Sequence, residues 1–304
     1  MTTTTTHPMT KPRTHPTTGP RAAVSVPELK RAWLAVQAGQ FSRHIGADTT
    51  GADGGDPTHT SPTVGRAWEP TEAVLPVVGC AGSVGTSTIA LALATAAAAA
   101  IGPARVVECC TVTASGLAGA STAELGQHPS GWVQGSRGRV LLERRGEIFL
   151  GPDEVPIPAD TPHPVSLTVL DVGWELGQLL ASPSWLADRL LQGRRVVAVS
   201  TATIPGMRRL EGALALLDGV PVLAAVLGPG RRRWPREVEH SMGALTRQLD
   251  RDGRLHQVPL DRGLANRGLD SRALPSPLLT AADRLLRAAT ETPSTPATTK
   301  GNRS

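Results

Sequence analysis

The stretch GCAGSVGTST, Gly79–Thr88, decides the fold of this chain. It follows the apolar run Val74–Val78 and precedes the alanine-rich run Ile89–Ile101. A buried strand, a glycine-rich turn with small hydroxyl residues and a helix together surround an anion with backbone N–H groups and a helix N-terminus. A phosphate-binding turn of this layout normally has lysine where Thr86 stands, and no lysine lies between residues 31 and 299. The segment therefore predicts a phosphate-binding fold that has lost its usual charge.

Composition divides the 304 residues into a core and two tails. The first seventy residues are rich in threonine, proline, glycine and histidine, and residues 291–304 are similar, so tails 1–70 and 291–304 are predicted to be disordered. Residues 71–290 are long enough for one domain with a sizeable core. Within the first tail, residues 27–41 (PELKRAWLAVQAGQF) predict a short helix with one apolar face. That helix packs on the domain or docks into a groove of a partner protein, and the sequence favours neither.

Charge and cysteine content restrict the function classes. The formal net charge is +5, carried almost entirely by arginine, which permits contact with nucleic acid or an acidic partner without requiring it. Cys80, Cys109 and Cys110 have neither metal-site spacing nor a secretory context, so we expect them to be reduced and mostly buried. The eight histidines are scattered, and no zinc site is expected.

No secretory signal is expected, and the chain is predicted to be cytoplasmic. The only long stretch without charged residues, 73–104, is interrupted by Pro76, by the glycine-rich turn and by Gly102-Pro103. Its unbroken helical part is too short to span a bilayer. We therefore predict a buried strand, turn and helix there and no direct membrane insertion.

Apolar strand-like runs alternate with helix-like runs along the core. The predicted strands are Val74–Val78, Arg105–Cys110, Ser166–Leu170, Arg195–Ser200, Val220–Leu227 and Arg254–Val258. The predicted helices are Ser87–Ile101, Ser184–Leu191, Pro205–Leu217, Pro235–Arg251 and Pro277–Ala289. A short helix is predicted near Ser121–Gly126, and a hairpin from Arg139–Leu142 and Glu147–Leu150. This order predicts an α/β fold, a mostly parallel sheet with helices on both faces.

The glycine-rich turn resembles the loop of the ParA/MinD group of P-loop ATPases, which reads KGGVGKTT. Ala81 replaces the family's signature lysine and Thr86 replaces its Walker lysine. By this resemblance the nucleotide-binding residues are Gly82, Ser83, Val84, Gly85, Thr86, Ser87 and Thr88. The resemblance also implies that Ser87 holds Mg²⁺ and that Thr88 contacts a phosphate oxygen.

Other landmarks occur in the family's order. Glu108 ends the second predicted strand where the family often has aspartate, and Asp171 in LDVG resembles the Walker-B-like aspartate, a second Mg²⁺ ligand. Residues 196–217 resemble the strand, loop and helix after switch II, and residues 256–269 resemble the late strand whose following loop borders adenine. Within the family the chain resembles a divergent actinobacterial set with lysine-free loops, which shares the stretch Arg233–Arg236 and accompanies mobile or conjugative elements.

The resemblance implies ATP or ADP with Mg²⁺ as cofactor, but two losses argue against efficient hydrolysis. The Walker lysine is missing, and the loss of one such donor costs about 3–4 kcal/mol of transition-state stabilisation. The stretch Thr111–Ala120, where the family has its water-positioning aspartate, contains no carboxylate. Together these losses favour a pseudo-ATPase or a very weak ATPase over an enzyme. Arginine can replace the lysine, and the candidates are Arg208, Arg209, Arg231, Arg232, Arg233 and Arg262.

Three functions follow from this pattern. The favoured one is a degenerate nucleotide-binding protein that acts as a positioning or regulatory factor, in plasmid or mobile-element partition or transfer. The second is an active ATPase that uses a non-standard arginine. The third is an interaction scaffold without nucleotide, in which the glycine-rich turn is kept only because strand and helix pack closely.

Alternatives also remain open for the partner contacts and for the roles of Asp171 and Glu108. The resemblance implies a homodimer that closes face to face around nucleotide, although Ala81 cannot reach across as the signature lysine does. Arg231, Arg232, Arg233 and Arg236 form a candidate patch for non-specific DNA contact. A solvated loop with Trp234 packed on the next helix is the favoured alternative. For Asp171 the alternative to a metal ligand is an N-cap or turn carboxylate, and Glu108 is expected to be a surface charge at a strand end.

Overall fold

The structure is a computed structural model and describes residues 68–161 and 163–291. The predicted helix at 27–41 and nearly all of the two predicted tails lie outside the described residues. The boundaries proposed for the domain, 71–290, therefore stay a prediction. No helix within the described ranges is long and apolar enough to cross a membrane.

Nine strands within the described residues form one sheet in the order β3-β4-β5-β2-β6-β1-β7-β8-β9. The first six along the chain are β1 Ala73–Gly79, β2 Ala104–Cys109, β3 Ala123–Gln127, β4 Val133–Arg137, β5 Val140–Arg144 and β6 Leu167–Val172. The last three are β7 Val196–Thr201, β8 Val222–Gly228 and β9 Leu255–Pro259. All neighbouring strands from β5 to β9 in that order are parallel, and only β3-β4 and β4-β5 are antiparallel.

Helices cover both faces of this sheet. They are α1 Thr86–Ala100, α2 Leu176–Ala181, α3 Trp185–Gln192, α4 Ile204–Leu216, α5 Arg236–His240, α6 Ala244–Arg251, α7 Arg262–Arg267 and α8 Ser276–Thr290. Helices α1, α7 and α8 bury apolar side chains in one hydrophobic cluster, and α2 to α6 bury theirs in a second. Successive strand residues alternate between the two clusters, as Val77 and Val78 of β1 do. The predicted fold class, a mostly parallel sheet with helices on both faces, is confirmed.

The central strand β1 is where the chain changes direction across the sheet. Its neighbours are β6 and β7, and the helix that follows β1 packs on one face while the helices that follow β6 and β7 pack on the other. In open parallel sheets a crevice forms outside the carboxyl ends of the strands at such a point, and ligands bind there. The glycine-rich turn leaves β1 at this crevice.

Two expectations for residues 121–150 were wrong. Ala123–Gln127 is not helical but forms the exposed edge strand β3, paired antiparallel with β4. The hairpin is made by β4 and β5, one turn earlier than expected, because Gly138 adopts the left-handed conformation (φ 58°) that a two-residue turn requires. Glu147–Leu150, the expected second strand, forms no strand, and Ile148 and Leu150 are 69% and 70% exposed.

The single helix predicted over Pro235–Arg251 is also wrong, because it is broken into α5 and α6. Gly243 precedes α6 and offers no side-chain cap of its own. Glu211 of α4 supplies the cap instead and accepts hydrogen bonds from the backbone N–H of Leu245 (2.9 Å) and Thr246 (2.8 Å). A new helix N-terminus therefore starts where the carboxylate of a distant helix lies.

Candidate phosphate-binding site

The loop between β1 and α1 is held by the strand beside it. The backbone N–H of Cys80 donates to the carbonyl of Val199 in β7 (2.9 Å), which extends the β1–β7 pairing into the loop. The chain then turns through two left-handed residues, Ser83 (φ 59°) and Gly85 (φ 95°). A turn built from such residues points successive N–H groups into one concave surface that suits an anion.

Two of the loop glycines are required by close packing. A Cβ on Gly79 would lie 2.5 Å from Thr86 Oγ1 and 2.9 Å from the carbonyl oxygen of Ala81. Gly85 has a positive φ, and a Cβ there would also lie only 2.8 Å from Leu227 Cδ2. A Cβ on Gly82, in contrast, would meet no atom within 4 Å, so packing alone does not explain this glycine. The open space at Gly82 is consistent with the approach of a ligand to the backbone.

The N-terminus of α1 has no side-chain cap among the residues that the structure describes. Its N-cap residue is Gly85, which makes no side-chain capping bond, and its first turn contains no acidic residue. Among the first N–H groups, Ile89 N–H donates to the carbonyl of Gly85 at 3.0 Å. The N–H groups before it therefore remain for a ligand, at the end of the helix that carries about half a positive charge.

Two carboxylates lie side by side beneath this loop. Glu108 of β2 and Asp171 of β6 are register partners in the parallel sheet, and each is only 2% exposed. Asp171 lies inside β6 rather than after it, so it is neither an N-cap nor a turn residue. Ser87 of α1 lies close enough to the Asp171 carboxyl group to lower its pKa. The two residues predicted to hold Mg²⁺ are thus brought together.

The pKa of Asp171 is raised to about 7, first by burial and second by the neighbouring charge of Glu108, with the Ser87 hydrogen bond acting in the opposite direction. Its Oδ1 atom is buried without a hydrogen-bond partner among the residues that the structure describes. A buried acceptor without a partner costs about 1–3 kcal/mol. Such a cost is typical of a functional site whose partner arrives with the ligand.

Glu108 is a buried clamp and not the surface charge that the sequence suggested. Its carboxylate accepts hydrogen bonds from Ser115 Oγ (2.7 Å) and from the backbone N–H of Gly116 (2.7 Å) and Leu117 (2.9 Å). These bonds fold the loop after β2 back onto the site, where Gly116 packs against the Ser87 hydroxyl. The expectation failed because the partners of Glu108 belong to its own following loop.

The loop from Gly79 to Thr88 and the carboxylate of Asp171 border one cavity of about 1310 Å³, whereas Glu108 does not line it. Every predicted nucleotide-binding residue from Gly82 to Thr88 lines it, together with Asp171. Its other walls come from the loop after β2, the loop after β6, helix α4 and the segment after β9. The cavity is large enough for a nucleotide, since sites for drug-sized ligands are about 300–1000 Å³.

Trp174 and Glu175 are wall residues that the sequence did not single out. Both follow Asp171 in the loop after β6 and line the cavity. The indole Nε1–H of Trp174 is buried and has no hydrogen-bond partner within the described part of the chain, the second such group at this site. Glu175 caps α2 by accepting from Gln178 N–H at 2.8 Å. The sequence signal for both was their position three and four residues after Asp171.

Of the arginines considered as replacements for the missing lysine, Arg209 of α4 lines the cavity. Arg208 and Arg262 do not line it, and neither does the run Arg231–Arg233. Arg231 is engaged elsewhere, with Asp250 (3.1 Å), Glu239 (3.3 Å) and the ring of Trp234 (4.4 Å from guanidinium carbon to ring centroid).

The arginine run 231–236 is mainly a packed turn. Trp234 is buried in the same hydrophobic cluster as Val238 of α5, and its Nε1–H donates to the carbonyl of Pro229 at 2.8 Å, so the alternative of a loop with Trp234 packed on the next helix fits these contacts. Arg231 is half-buried and paired, whereas Arg232, Arg233 and Arg236 are exposed. Only these three remain from the proposed DNA patch.

The cysteines are packed as expected. Cys109 and Cys110 are buried and Cys80 is half-buried, and all three are free thiols. Burial raises the pKa of Cys80 to about 12, so this thiol is not a nucleophile at neutral pH although it lines the cavity. Among the described residues, no group of three or more His, Cys, Asp or Glu side chains is placed to hold a metal ion.

No protein-family model matches the sequence, and no curated protein matches it. Several solved structures do match. A plasmid partition protein from Borrelia burgdorferi bound to AMPPNP is 14% identical, with a TM-score of 0.45 over 71% of this chain and 97% of that chain. The septum site-determining protein MinD from Pyrococcus horikoshii with Mg-ADP is 13% identical, with a TM-score of 0.46 over 72% and 96%. A ParA family ATPase from Chlorobium tepidum is 14% identical, with a TM-score of 0.44 over 71% and 99%.

These similarities concern the arrangement of strands and helices in proteins of the ParA and MinD type. At such identities they do not transfer side-chain roles, and the chemistry of the site rests on the residues of this chain.

Proposed function

We propose that this chain is a degenerate nucleotide-binding protein of the ParA/MinD type, which hydrolyses its ligand very slowly or not at all. The observation that carries the proposal is the convergence, in one cavity, of an uncapped helix N-terminus, the loop 82–88 and the buried, unpartnered oxygen of Asp171. Each of these features lacks a partner within the described residues, and a polyphosphate with a cation would supply partners for all of them.

The loop amides and the start of α1 would hold the phosphates. Gly82 and Ser83 are the exposed part of the loop, and Gly82 leaves room for close approach. Thr88, at the cavity wall, would add a hydroxyl donor to a phosphate oxygen. Backbone amides are fixed in place before binding, so their hydrogen bonds require no reorganisation.

Ser87 and Asp171 fit a magnesium ion, because both are oxygen ligands and Asp171 Oδ1 has no other partner among the described residues. Bound there, Mg²⁺ would neutralise phosphate charge. The protein offers few ligands of its own, so the remaining ligands would be phosphate oxygens and water. We therefore expect the metal to bind together with the nucleotide rather than before it.

The same residues argue against turnover. Thr86 carries no charge, and the loop after β2 is tied down by Glu108 and contains no carboxylate that could orient a water molecule. Phosphoryl transfer depends almost entirely on positioning and electrostatic stabilisation. Without the lysine and the water-positioning carboxylate, this protein would keep its nucleotide bound and uncleaved for a long time. Such a long-lived complex suits a positioning or regulatory factor in partition or transfer of a plasmid or mobile element.

An active ATPase is the alternative that one observation favours, since Arg209 and Glu175 line the cavity and bring a cation and a carboxylate. Its test is phosphate release from MgATP by the full chain. Release that disappears in the double variant Ser87→Ala, Thr88→Ala supports an enzyme, and release that is unchanged by this variant comes from a contaminant.

The proposal also includes contacts with DNA, with a partner protein and with a second copy of the chain. Arg232, Arg233 and Arg236 provide an exposed basic turn for weak DNA contact, which would weaken steeply with salt. Residues 27–41 are proposed as the segment that docks into a protein partner, and a homodimer around nucleotide is proposed without the cross-reaching lysine that Ala81 replaces. Co-purification with and without residues 1–45 separates the scaffold hypothesis from the other two.

The binding proposal is tested by isothermal titration calorimetry of the full chain with MgADP and with MgATP. We expect saturable binding with a dissociation constant of roughly micromolar to millimolar, which corresponds to about −8 to −4 kcal/mol. The variant Gly79→Ala, which forces the loop to move, is the control and should bind neither nucleotide. The absence of heat and of a thermal shift in the wild-type protein would refute the proposal.

A further inference from the structure

The cavity has an unusual charge balance for a polyphosphate site. The charged side chains that line it are Asp171, Glu175, Asp261 and Arg209, three acids and one base. Glu175 and Asp261 are committed as helix caps, each accepting a backbone N–H at the start of a short helix. A nucleotide in this cavity therefore has Arg209 as its one side-chain cation within the part of the chain that the structure describes.

The elements around the loop place helix α4 beside it, and Arg209 of α4 lines the same cavity. Strand β7 pairs with β1 as far as Gly79 and Val199, and helix α4 starts only three residues after β7 ends. Arg209 lies in the second turn of α4, about 8 Å along the helix axis from its first residue at a rise of 1.5 Å per residue. The start of α4 is therefore a neighbour of the phosphate loop.

One face of α4 borders the cavity. Arg209, Gly212, Ala213 and Leu216 all line it, and their spacing of three and four residues places them on one side of the helix. The two residues one turn beyond Arg209 on this face are small, and a Cβ on Gly212 would meet nothing within 4 Å. The arginine side chain thus has space to move toward a ligand.

Arg209 is also uncommitted. Among the residues that the structure describes, it takes part in no salt bridge and no side-chain hydrogen bond, and it is exposed. Arg231, by comparison, is held by two carboxylates and an aromatic ring. An arginine that is free of partners at the rim of an anion site can change its rotamer at little cost when a ligand arrives.

We propose that Arg209 replaces the missing loop lysine and pairs its guanidinium with the terminal phosphate oxygens of the bound nucleotide. This inference rests on the proposed function and adds the residue that supplies the charge. A guanidinium binds two phosphate oxygens at once through its planar fork, which a lysine cannot do. Because the cation comes from α4 and not from the loop, it contacts the outermost phosphate more strongly than the inner ones.

The test compares three variants of the full chain by calorimetric titration with Mg·AMPPNP and with MgADP. Arg209→Gln removes the charge. Arg208→Gln is the matched control, because Arg208 is the preceding residue of the same helix, is also exposed and does not line the cavity. Arg209→Lys keeps the charge without the fork. Since both arginines are exposed, unfolding midpoints should be unchanged, which separates binding from folding.

We expect Arg209→Gln to weaken Mg·AMPPNP binding by about tenfold or more, the size typical of a charge-assisted hydrogen bond, with a smaller loss for MgADP. Arg208→Gln should stay within about twofold of wild type, as expected for a screened surface charge, and Arg209→Lys should recover part of the loss. Equal losses of nucleotide affinity in the two glutamine variants would overturn the proposal, because they would show that any positive charge on α4 has the same electrostatic effect.

The failure of this inference is distinguishable from failure of the proposed function. If the wild-type protein binds nucleotide and Arg209→Gln binds it equally well, Arg209 is not the cation and nucleotide binding stands. If the wild-type protein binds neither nucleotide, both proposals are refuted together.

Discussion

Replacement of Asp171 by asparagine is expected to stabilise the ligand-free protein at neutral and alkaline pH. Asp171 is 2% exposed, lies beside Glu108 and has no partner for Oδ1 among the described residues, so its charged form is disfavoured in the folded protein. The pKa of its carboxyl group is raised from 3.8 to about 7. Asparagine has nearly the same shape and carries no charge, so it removes the electrostatic penalty without leaving a cavity.

The sign and size of the effect follow from the pKa. Between about pH 4 and pH 7 the folded protein keeps a proton that the unfolded chain releases, so this group lowers the free energy of unfolding as pH rises through that window and has no further effect above it. A shift of about three pKa units corresponds to about 4 kcal/mol. Part of that loss is already present at pH 5, so the advantage of Asp171→Asn over wild type should grow by about 3 kcal/mol from pH 5 to pH 8.

Urea unfolding at pH 5 and pH 8, without nucleotide or magnesium, measures this difference. Asp218→Asn is the control because Asp218 is exposed, and it should change the free energy of unfolding by less than about 0.5 kcal/mol at either pH. In the same protein, Asp171→Asn should lose the thermal shift that MgADP gives the wild type. If Asp171→Asn is less stable than wild type at pH 8, the carboxylate is compensated in the folded protein and is not waiting for a cation.

Substitutions at three further positions, Gly79, Glu108 and Glu211, test local contacts, with Gly82→Ala and Glu237→Ala as controls. Gly79→Ala should lower the free energy of unfolding by about 1–3 kcal/mol, because the new Cβ would lie 2.5 Å from Thr86 Oγ1. Gly82→Ala, whose Cβ would meet nothing within 4 Å, should change the free energy of unfolding by less than about 0.5 kcal/mol. Equal effects of the two substitutions would contradict the loop geometry. Glu108→Ala should speed hydrogen exchange at the amides of Gly116 and Leu117 and cost about 1–3 kcal/mol, because both N–H groups lose the carboxylate oxygen Oε1 that accepts from them; unchanged exchange would refute the role of Glu108 in holding this loop. Glu211→Ala should lower the free energy of unfolding by about 1–3 kcal/mol, because α6 loses its cap. Glu237→Ala, at an exposed position, is the control, and equal stability of the two variants would refute the capping role.

The sequence was informative where the signal is local. The spacing of glycines and hydroxyl residues in Gly79–Thr88, with apolar runs on both sides, predicted the turn between β1 and α1 and the cavity-lining set of loop residues. Buried parallel strands read as continuous apolar runs, so β1, β2 and β6 to β9 were all located. Asp171 was singled out because it follows such a run, but it lies inside β6 rather than after it.

The sequence was uninformative where a partner comes from elsewhere in the chain. The break between α5 and α6 depends on Glu211, about 35 residues away, and no local pattern announces it. Glu108 was taken for a surface charge because its three donors become its neighbours only when the loop folds back. The hairpin expected from Arg139–Leu142 and Glu147–Leu150 was wrong because β5 pairs with β4, which precedes it, and the turn lies at Gly138.

Arg209 illustrates the same limit at the scale of one helix. Arg208 and Arg209 are adjacent and differ by about 100° in direction around α4, so only the packing of the helix decides which of them lines the cavity. That packing is set by Met207, Leu210 and Leu214, which are buried in the core on the opposite side of the sheet from α1. The sequence could name the candidates but not choose between them.

Main-chain amides and one arginine are proposed to hold a nucleotide that too few fixed charges remain to cleave. A single-turnover experiment with full-length protein in excess over γ-labelled MgATP measures both halves of this proposal, as label retained on the protein and label released as phosphate. We expect the label to be retained as intact ATP, retention to be lost in Gly79→Ala, and phosphate release to stay at the level of a protein-free control. Release that consumes the bound ATP and vanishes in the double variant Ser87→Ala, Thr88→Ala would contradict the proposal, and so would a wild-type protein that retains no label at a protein concentration above the dissociation constant found by calorimetry.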